Sequence, residues 1–396
     1  AMKSSMPSGR SPVRIHFAGS EVFLSRTHAR TNMQRTRIMV LAAFALVFFY
    51  VAVMWSPLHT AREGWTITLR LETSGGKSPQ PAKKTEGDFP DSSLEGELPP
   101  SFQSALKNHS VVPMSDVKVV FVLTYYRAGA PLLNELLSAD NSTFFHFEPL
   151  GLFTVNGRIR AGRENHAFKL IEELIACRLE NVPLYTVWLE GNDFHKRNRF
   201  MSQLCQGGQA CTSPSHMSAV CRRSSTRVFK FSRLYVSQVA NWLKRNPDMA
   251  KYLRVIHLVR DPRAVYYSRR TQKWCTVSAE CDKASSLCDQ MRFDLDAFSD
   301  LEGLLPVNWT QRLRFEDLVA NPRNETLRLF GRIGLNYTTA VSEYLAKRKS
   351  PSSAPDRWKK RLSKATLSII EESCFDILEA FGYEFLIPEV EEAELE

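Results

Sequence analysis

The chain has 396 residues, 43% of them hydrophobic, with 52 Lys and Arg against 42 Asp and Glu for a net charge of +10. That length holds one large domain plus appendages. A basic balance suits nucleic acid, a membrane surface or an acidic substrate, but there is no zinc-finger spacing, no RNP-like motif and no basic stripe with interleaved aromatics, so nucleic acid is not expected as a partner.

In chain order, residues 1–37 form a basic tail, carrying about +6 of the net charge through Lys3, Arg10, Arg14, Arg26, Arg30, Arg35 and Arg37 against the single acid Glu21. Ile38 to Trp55 is an uncharged run of Val, Leu, Ala and Phe near the lower length limit for crossing a bilayer. With the basic residues before it, the positive-inside rule puts the N-terminus in the cytosol and the remainder in a lumen. The expectation is a signal-anchor helix over 38–55; a cleaved signal peptide is the other reading. Residues 56–116 read as a flexible luminal stem, dominated from Glu72 to Ser104 by Ser, Pro, Gly, Lys and Glu. A globular domain is expected over 117–387 and an acidic tail over 388–396.

Within that domain β-prone runs alternate with helical ones, which predicts a mostly parallel sheet covered on both faces. The predicted strands are Val119–Leu123, Phe144–Phe147, Arg227–Phe231, Leu253–Val259 and Arg312–Phe315. The predicted helices are Pro131–Leu137, His166–Leu179, Tyr235–Lys244, one opening at Pro262, Glu325–Ile333 and Lys364–Phe381. Two strand-to-helix switches stand out. The first runs Tyr126-Arg127-Ala128-Gly129-Ala130-Pro131-Leu132, a turn whose glycine permits close backbone approach and whose helix N-terminus suits an anion. The second runs Arg260-Asp261-Pro262-Arg263-Ala264-Val265, with Asp261 as N-cap, Pro262 at the first helical position and Ser268 two turns on. An Arg at each switch is what a ligand with two anionic ends requires.

All eight cysteines (Cys177, Cys205, Cys211, Cys221, Cys275, Cys281, Cys288 and Cys374) and the five Asn-X-Ser/Thr sequons at Asn108, Asn141, Asn308, Asn324 and Asn336 lie beyond the apolar run. Both features suit an oxidising, secretory lumen. Two local groups of three cysteines leave the pairing open. Asn141 follows closely on the first switch in sequence. There is no C-x-x-C and no His at ligand spacing, so no metal is expected. No G-x-x-x-x-G-K-[ST] is present, which argues against a P-loop kinase.

The two Arg turns, followed in order by Phe147-Glu148-Pro149, Arg314-Phe315-Glu316-Asp317-Leu318…Asn321-Pro322, Trp358-Lys359…Leu362, Cys374 and Phe381-Gly382-Tyr383, resemble the Golgi carbohydrate sulfotransferases. More narrowly they resemble the galactose, N-acetylglucosamine and N-acetylgalactosamine 6-O-sulfotransferases, over roughly residues 117–387. The resemblance implies the P-loop-like sulfotransferase fold and sulfate transfer from 3′-phosphoadenylyl sulfate (PAPS) to a sugar 6-hydroxyl of a glycan or glycosaminoglycan. It implies a single-pass type II Golgi membrane protein with a luminal catalytic domain. The 5′-phosphosulfate would lie on the turn Tyr126–Leu132, with Arg127 bearing on the sulfuryl group, and the 3′-phosphate on Arg260 and Ser268, helped by Arg263. Glu148 is the candidate general base and His146 its rival. Glu316 and Asp317 are either acceptor contacts or a helix-start pair. Trp358, among Arg357, Lys359 and Lys360, is either a sugar-stacking ring or part of a solvated charge run. The family's first turn usually reads Arg-Ser-Gly-Ser-Ser. Here Arg127-Ala128-Gly129-Ala130-Pro131 lacks those hydroxyls and one backbone N–H, which opens the alternative of a catalytically silent glycan-binding member.

Overall fold

The computed structural model describes residues 98–154, 157–205, 209–276, 278, 281, 283–348 and 356–387. The expected anchor at 38–55, most of the stem and the acidic tail fall outside them. Among the described residues no helix is long and apolar enough to cross a membrane.

The folded part begins earlier than Val117. Helix α1 (Pro100–Leu106) starts on a proline, and its Phe102 and Leu106, with Leu98, are buried in the main core. The end of the expected stem is therefore packed into the domain through these three apolar side chains.

Five strands follow: β1 (Lys118–Thr124), β2 (Thr143–Phe147), β3 (Thr226–Phe231), β4 (Leu253–Val259) and β5 (Thr310–Arg314). They lie in the order β2-β3-β1-β4-β5, and every neighbouring pair is parallel. Successive side chains on a strand point to opposite faces, so a sheet covered on both sides needs apolar residues at nearly every position. In β1, Val119, Phe121 and Leu123 enter one core, while Val120 and Val122 enter the other. The first core is closed by α3 (Glu164–Ile175) and α7 (Val236–Arg245), through Phe168, Ile171, Leu174 and Trp242. The second is closed by α2 (Ala130–Leu137) and α12 (Pro322–Ile333), through Leu133, Leu136, Leu329 and Ile333. Between β2 and β3 the chain also makes α4 (Pro183–Gly191), α5 (Arg199–Cys205) and α6 (Pro214–Cys221).

Helix α8 (Pro262–Arg270) follows β4, and α9 (Ala284–Asp296) and α10 (Phe298–Glu302) follow it. After β5 come α11 (Phe315–Ala320), α13 (Thr339–Lys347), α14 (Lys364–Ser373) and α15 (Phe375–Ala380). The predicted single helix Lys364–Phe381 is thus two, broken at Cys374, which bonds to Cys288 on α9. The other pairs are Cys177–Cys221, Cys205–Cys211 and Cys275–Cys281. Each local trio keeps one short-range bond and sends its third member to a distant cysteine.

β1 is the pivot of this topology. Its chain leaves toward β2 and β3 on one side, whereas β4 leads to β5 on the other. The carboxyl ends of β1 and β4 therefore flank a crevice, where open α/β sheets take their ligands.

Candidate anion site at the β1–β4 crevice

Both Arg turns meet at this crevice. Gly129 sits at φ +87° as the N-cap of α2, and a Cβ there would lie 2.2 Å from the Phe315 ring. Only glycine satisfies both the left-handed backbone and the close approach. Arg127 also holds a positive φ of 72° and is exposed. Its Nε donates to Ser268 Oγ at 2.9 Å, and Arg260 Nη1 donates to the Arg127 carbonyl at 3.1 Å. Arg269 Nε donates to the Tyr126 carbonyl at 3.2 Å. The first turn is thus held from the second by donors, next to the opening backbone N–H groups of α2. Ala128, Ala130 and Leu132 point their side chains into buried surroundings, so they offer only backbone, while Pro131 is exposed beside them. Tyr126 packs edge-on to Trp274 at 5.4 Å.

Asp261 caps α8 by accepting from the Arg263 backbone N–H at 2.9 Å. Its own N–H donates to Glu316 Oε1 at 3.1 Å, and Tyr383 OH donates to Glu316 Oε2 at 2.9 Å. Glu316 therefore fastens the second turn to the C-terminal segment, which accounts for it as a helix-start residue rather than an acceptor contact. Arg263 corrects the sequence expectation. It is 2% exposed, forks onto Asp261 at 2.9 Å, bonds Glu371, donates to the Glu384 carbonyl at 2.9 Å and lies over the Trp358 ring. Its guanidinium is committed to two carboxylates and a carbonyl, so its observed place is that of a brace for the turn. Trp358 is 2% exposed and has no face for a sugar.

Glu148 closes β2 with φ +49° and is 5% exposed. Its carboxylate accepts from Lys230 Nζ, Ser232 Oγ, Arg233 Nη1 at 2.6 Å and the Ser232 N–H at 3.3 Å. Burial alone would raise its pKa, but Lys230 and Arg233 hold it below the ordinary carboxylate value. A carboxylate already saturated with donors and poor in proton affinity is a weak general base, which runs against the role expected from sequence. Its geometry is that of a fixture for Lys230 and Arg233. His146 does not replace it: the ring is 1% exposed, stacked on Phe229 and bonded through Nδ1 to Tyr185 OH at 2.9 Å, and burial lowers its pKa to about 3. Glu148→Gln is expected to cost about 3–5 kcal/mol of stability, because two buried cations lose their counter-charge. A thermal melt beside steady-state kinetics checks this: kcat lost with an unchanged Tm would restore the base assignment.

A buried polar layer beneath the first turn was not singled out in the sequence. Tyr125 OH bonds His257 Nε2 at 3.0 Å. Arg158 Nη2 pairs with Asp294 Oδ2 at 2.8 Å, with side-chain exposures of 3% and 2%, and its guanidinium lies 4.9 Å from the Tyr125 ring and 4.6 Å from that of Tyr235. Lys230 and Arg233 were missed too. The signal was a strand, β3, buried at every position yet containing Arg227 and Lys230, since buried cations are rare unless they are paired.

The five sequon asparagines are all exposed. Asn141 and Asn308 each precede the N-terminal end of a strand, so Asn141 is at the opposite end of the sheet from the two turns despite its nearness in sequence. Among the described residues, no group of three or more His, Cys, Asp or Glu side chains could hold a metal ion.

A parallel sheet with two cationic turns at its switch point defines an α/β protein with its arginines gathered where such sheets take their ligands. The sulfotransferase domain matches residues 118–366, and the chain belongs to that family. Its relatives include carbohydrate sulfotransferase 2 of Mus musculus, 23% identical over 67% of this chain and 65% of that protein. Carbohydrate sulfotransferase 3 of Mus musculus is 20% identical, over 67% of each chain. Carbohydrate sulfotransferase 6 of Homo sapiens is 24% identical, over 70% of this chain and 83% of its own length. Among solved structures, the sulfotransferase domain of the Synechococcus PCC 7002 olefin synthase covers 68% of this chain and 96% of its own at 15% identity and a TM-score of 0.40, too loose a fit to bear on the site.

Proposed function

We propose that the chain transfers sulfate from PAPS to the 6-hydroxyl of a galactose, N-acetylglucosamine or N-acetylgalactosamine residue in a glycan. The observation that carries this reading is the direct contact of the two turns, Arg127 on Ser268 and Arg260 on the Arg127 carbonyl. Two anion-binding groups this close suit one small ligand with phosphate at both ends. The residues fit it. Arg260 and Ser268 take the 3′-phosphate. The N–H groups opening α2, with Arg127, take the 5′-phosphosulfate.

PAPS would supply an activated sulfuryl group: the sugar oxygen forms a new S–O bond as the S–O bond to the 5′-phosphate breaks, and the hydroxyl proton leaves to the departing phosphate or to water. Arg127 and the α2 N-terminus stabilise the charge that gathers on the departing phosphate. They do so without hydroxyls at positions 128 and 130, so backbone donors carry a larger share than a Ser-rich turn would leave them. Lys230 and Arg233, oriented by Glu148, line the acceptor side at the end of β3. Four disulfides and five exposed sequons support a secretory-lumen location. The apolar run 38–55 supports a single membrane anchor of a Golgi enzyme.

The test is binding of 3′-phosphoadenosine 5′-phosphate to the full chain, with ADP as the competitor lacking the 3′-phosphate. Arg127→Ala and Arg260→Ala should each weaken it by roughly ten- to a hundredfold, the worth of a charged hydrogen bond, with ADP competing poorly. A folded protein that does not bind it sinks the transferase reading and leaves a glycan-binding role.

A further inference from the structure

A second cleft adjoins the site. It has a volume of about 230 Å³ and is lined by Pro131, Asn134, Glu135 and Ser138 on the α2 side and by Phe145, Lys196, Arg197 and Arg199 opposite. Pro131 belongs to the first anion turn, so the cleft begins where the donor turn ends. Its far wall adjoins the acceptor side, because Arg197 lies 4.3 Å from the centre of the Phe147 ring, next to Glu148.

Two features mark it as built to hold something. Asn134 is 4% exposed, and neither its Oδ1 nor its Nδ2 has a hydrogen-bond partner among the described residues. A buried amide with both ends unpaired is costly and calls for a partner. Arg197 makes no ion pair among the described residues and rests on the aromatic rings of Phe147 and Phe194. The neighbouring cations are held only at the surface: Lys196 pairs with Asp193 where both are about two-thirds exposed, and Arg199 stands 3.8 Å from a half-exposed Glu135. The volume is below the roughly 300–1,000 Å³ of a drug-sized pocket. It suits one charged substituent, not an oligosaccharide.

We propose that this cleft, through Arg197 and Asn134, binds an anionic substituent of the acceptor glycan, a sulfate ester or a uronic carboxylate on a sugar near the one being modified. Arg197 supplies a planar donor fork for the oxyanion, and Asn134 supplies an amide donor to it and an acceptor for a neighbouring hydroxyl. The inference rests on the sulfotransferase reading and deepens it: the preferred acceptor already carries negative charge when it arrives. An earlier sulfation, or the building-in of a uronic acid, must therefore precede this step.

The experiment titrates the full-length protein with three matched oligosaccharides, one neutral, one bearing a sulfate ester and one a uronic carboxylate, by direct binding and by KM. Wild type should favour one or both anionic ligands by about tenfold or more, the worth of one charged contact, and the better of the two identifies the substituent. Arg197→Gln should erase the preference while leaving affinity for the neutral ligand and for 3′-phosphoadenosine 5′-phosphate unchanged. Arg197→Lys should restore part of it. No preference in wild type, or an equal loss for neutral and anionic ligands in Arg197→Gln, overturns the cleft. Failure of nucleotide binding alone would overturn the donor reading instead, because glycan binding is read separately.

Discussion

Gly129→Ala should destroy the donor site and destabilise the domain by roughly 2–5 kcal/mol. Two costs add. An L-residue in the left-handed region costs about 1–2 kcal/mol, and forcing a methyl into packed surroundings costs about 1–3 kcal/mol. Here the methyl would stand 2.2 Å from the Phe315 ring. The ring cannot retreat without consequence, because Arg260 lies over it at 4.8 Å. One added carbon thus disturbs the backbone around Arg127 and the seat of Arg260 together. Nucleotide affinity should fall by more than either Arg→Ala change produces, with Tm falling as well. Gly129→Ala/Phe315→Leu separates the causes: it removes the clash but keeps the strained φ, and should recover part of the stability. An affinity for 3′-phosphoadenosine 5′-phosphate within about twofold of wild type in Gly129→Ala would show that the turn does not carry the donor.

The second large effect lies in the buried pair Arg158–Asp294. Asp294→Leu should cost about 3–5 kcal/mol, because Arg158 cannot shed its proton and is left charged in the interior. Arg158→Met should cost less, since a carboxyl can neutralise itself. Burial already pushes Asp294 above its ordinary pKa even with Arg158 beside it, and removing the cation pushes it further. A carboxyl with a raised folded pKa contributes its stability below the unfolded value and loses it as pH rises through the folded one. Arg158→Met should therefore close on wild type in denaturant melts at about pH 5 and fall behind at about pH 8. The double variant Arg158→Met/Asp294→Leu should regain most of the loss. Equal melts for all three variants would mean the pair is not desolvated as the structure shows.

The sheet was legible in the sequence because β-branched and aromatic residues gather in short runs that alternate with helical patterns, even where β3 and β4 carry buried cations. β4 was found to the residue, and β1, β2 and β3 within one residue at each end. The two anion turns were legible because glycine, proline and an N-capping aspartate punctuate them. What escaped was whatever depended on partners remote in sequence. Arg263 reads as a spare cation beside Arg260 until Glu371 and the Glu384 carbonyl are placed against it. Trp358 sits in a basic run, and only the fold shows that Arg263 covers its ring. Glu148 reads as a base because sequence does not reveal that Lys230 and Arg233 converge on it. Helices α4 to α6 lack a clean apolar stripe: Leu184 and Val187 are exposed while Tyr185 and Thr186 are buried. Asn134 and Arg197 lie on separate elements with nothing in their local patterns to link them.

The bracing of the second turn has a bearing on how the protein is made. Asp261 is fastened through Glu316 to Tyr383, and Arg263 through Glu371 and the Glu384 carbonyl. Cys288 behind them waits for Cys374. All but Glu316 of these anchors lie between Glu371 and Glu384, beyond position 366 where the family match ends. During vectorial synthesis the sheet from β1 to β4 can assemble long before they emerge. A ribosome-bound chain should therefore own the first half of its nucleotide site well ahead of the second, and become competent for donor only once its C-terminal segment has been released and oxidised onto α9.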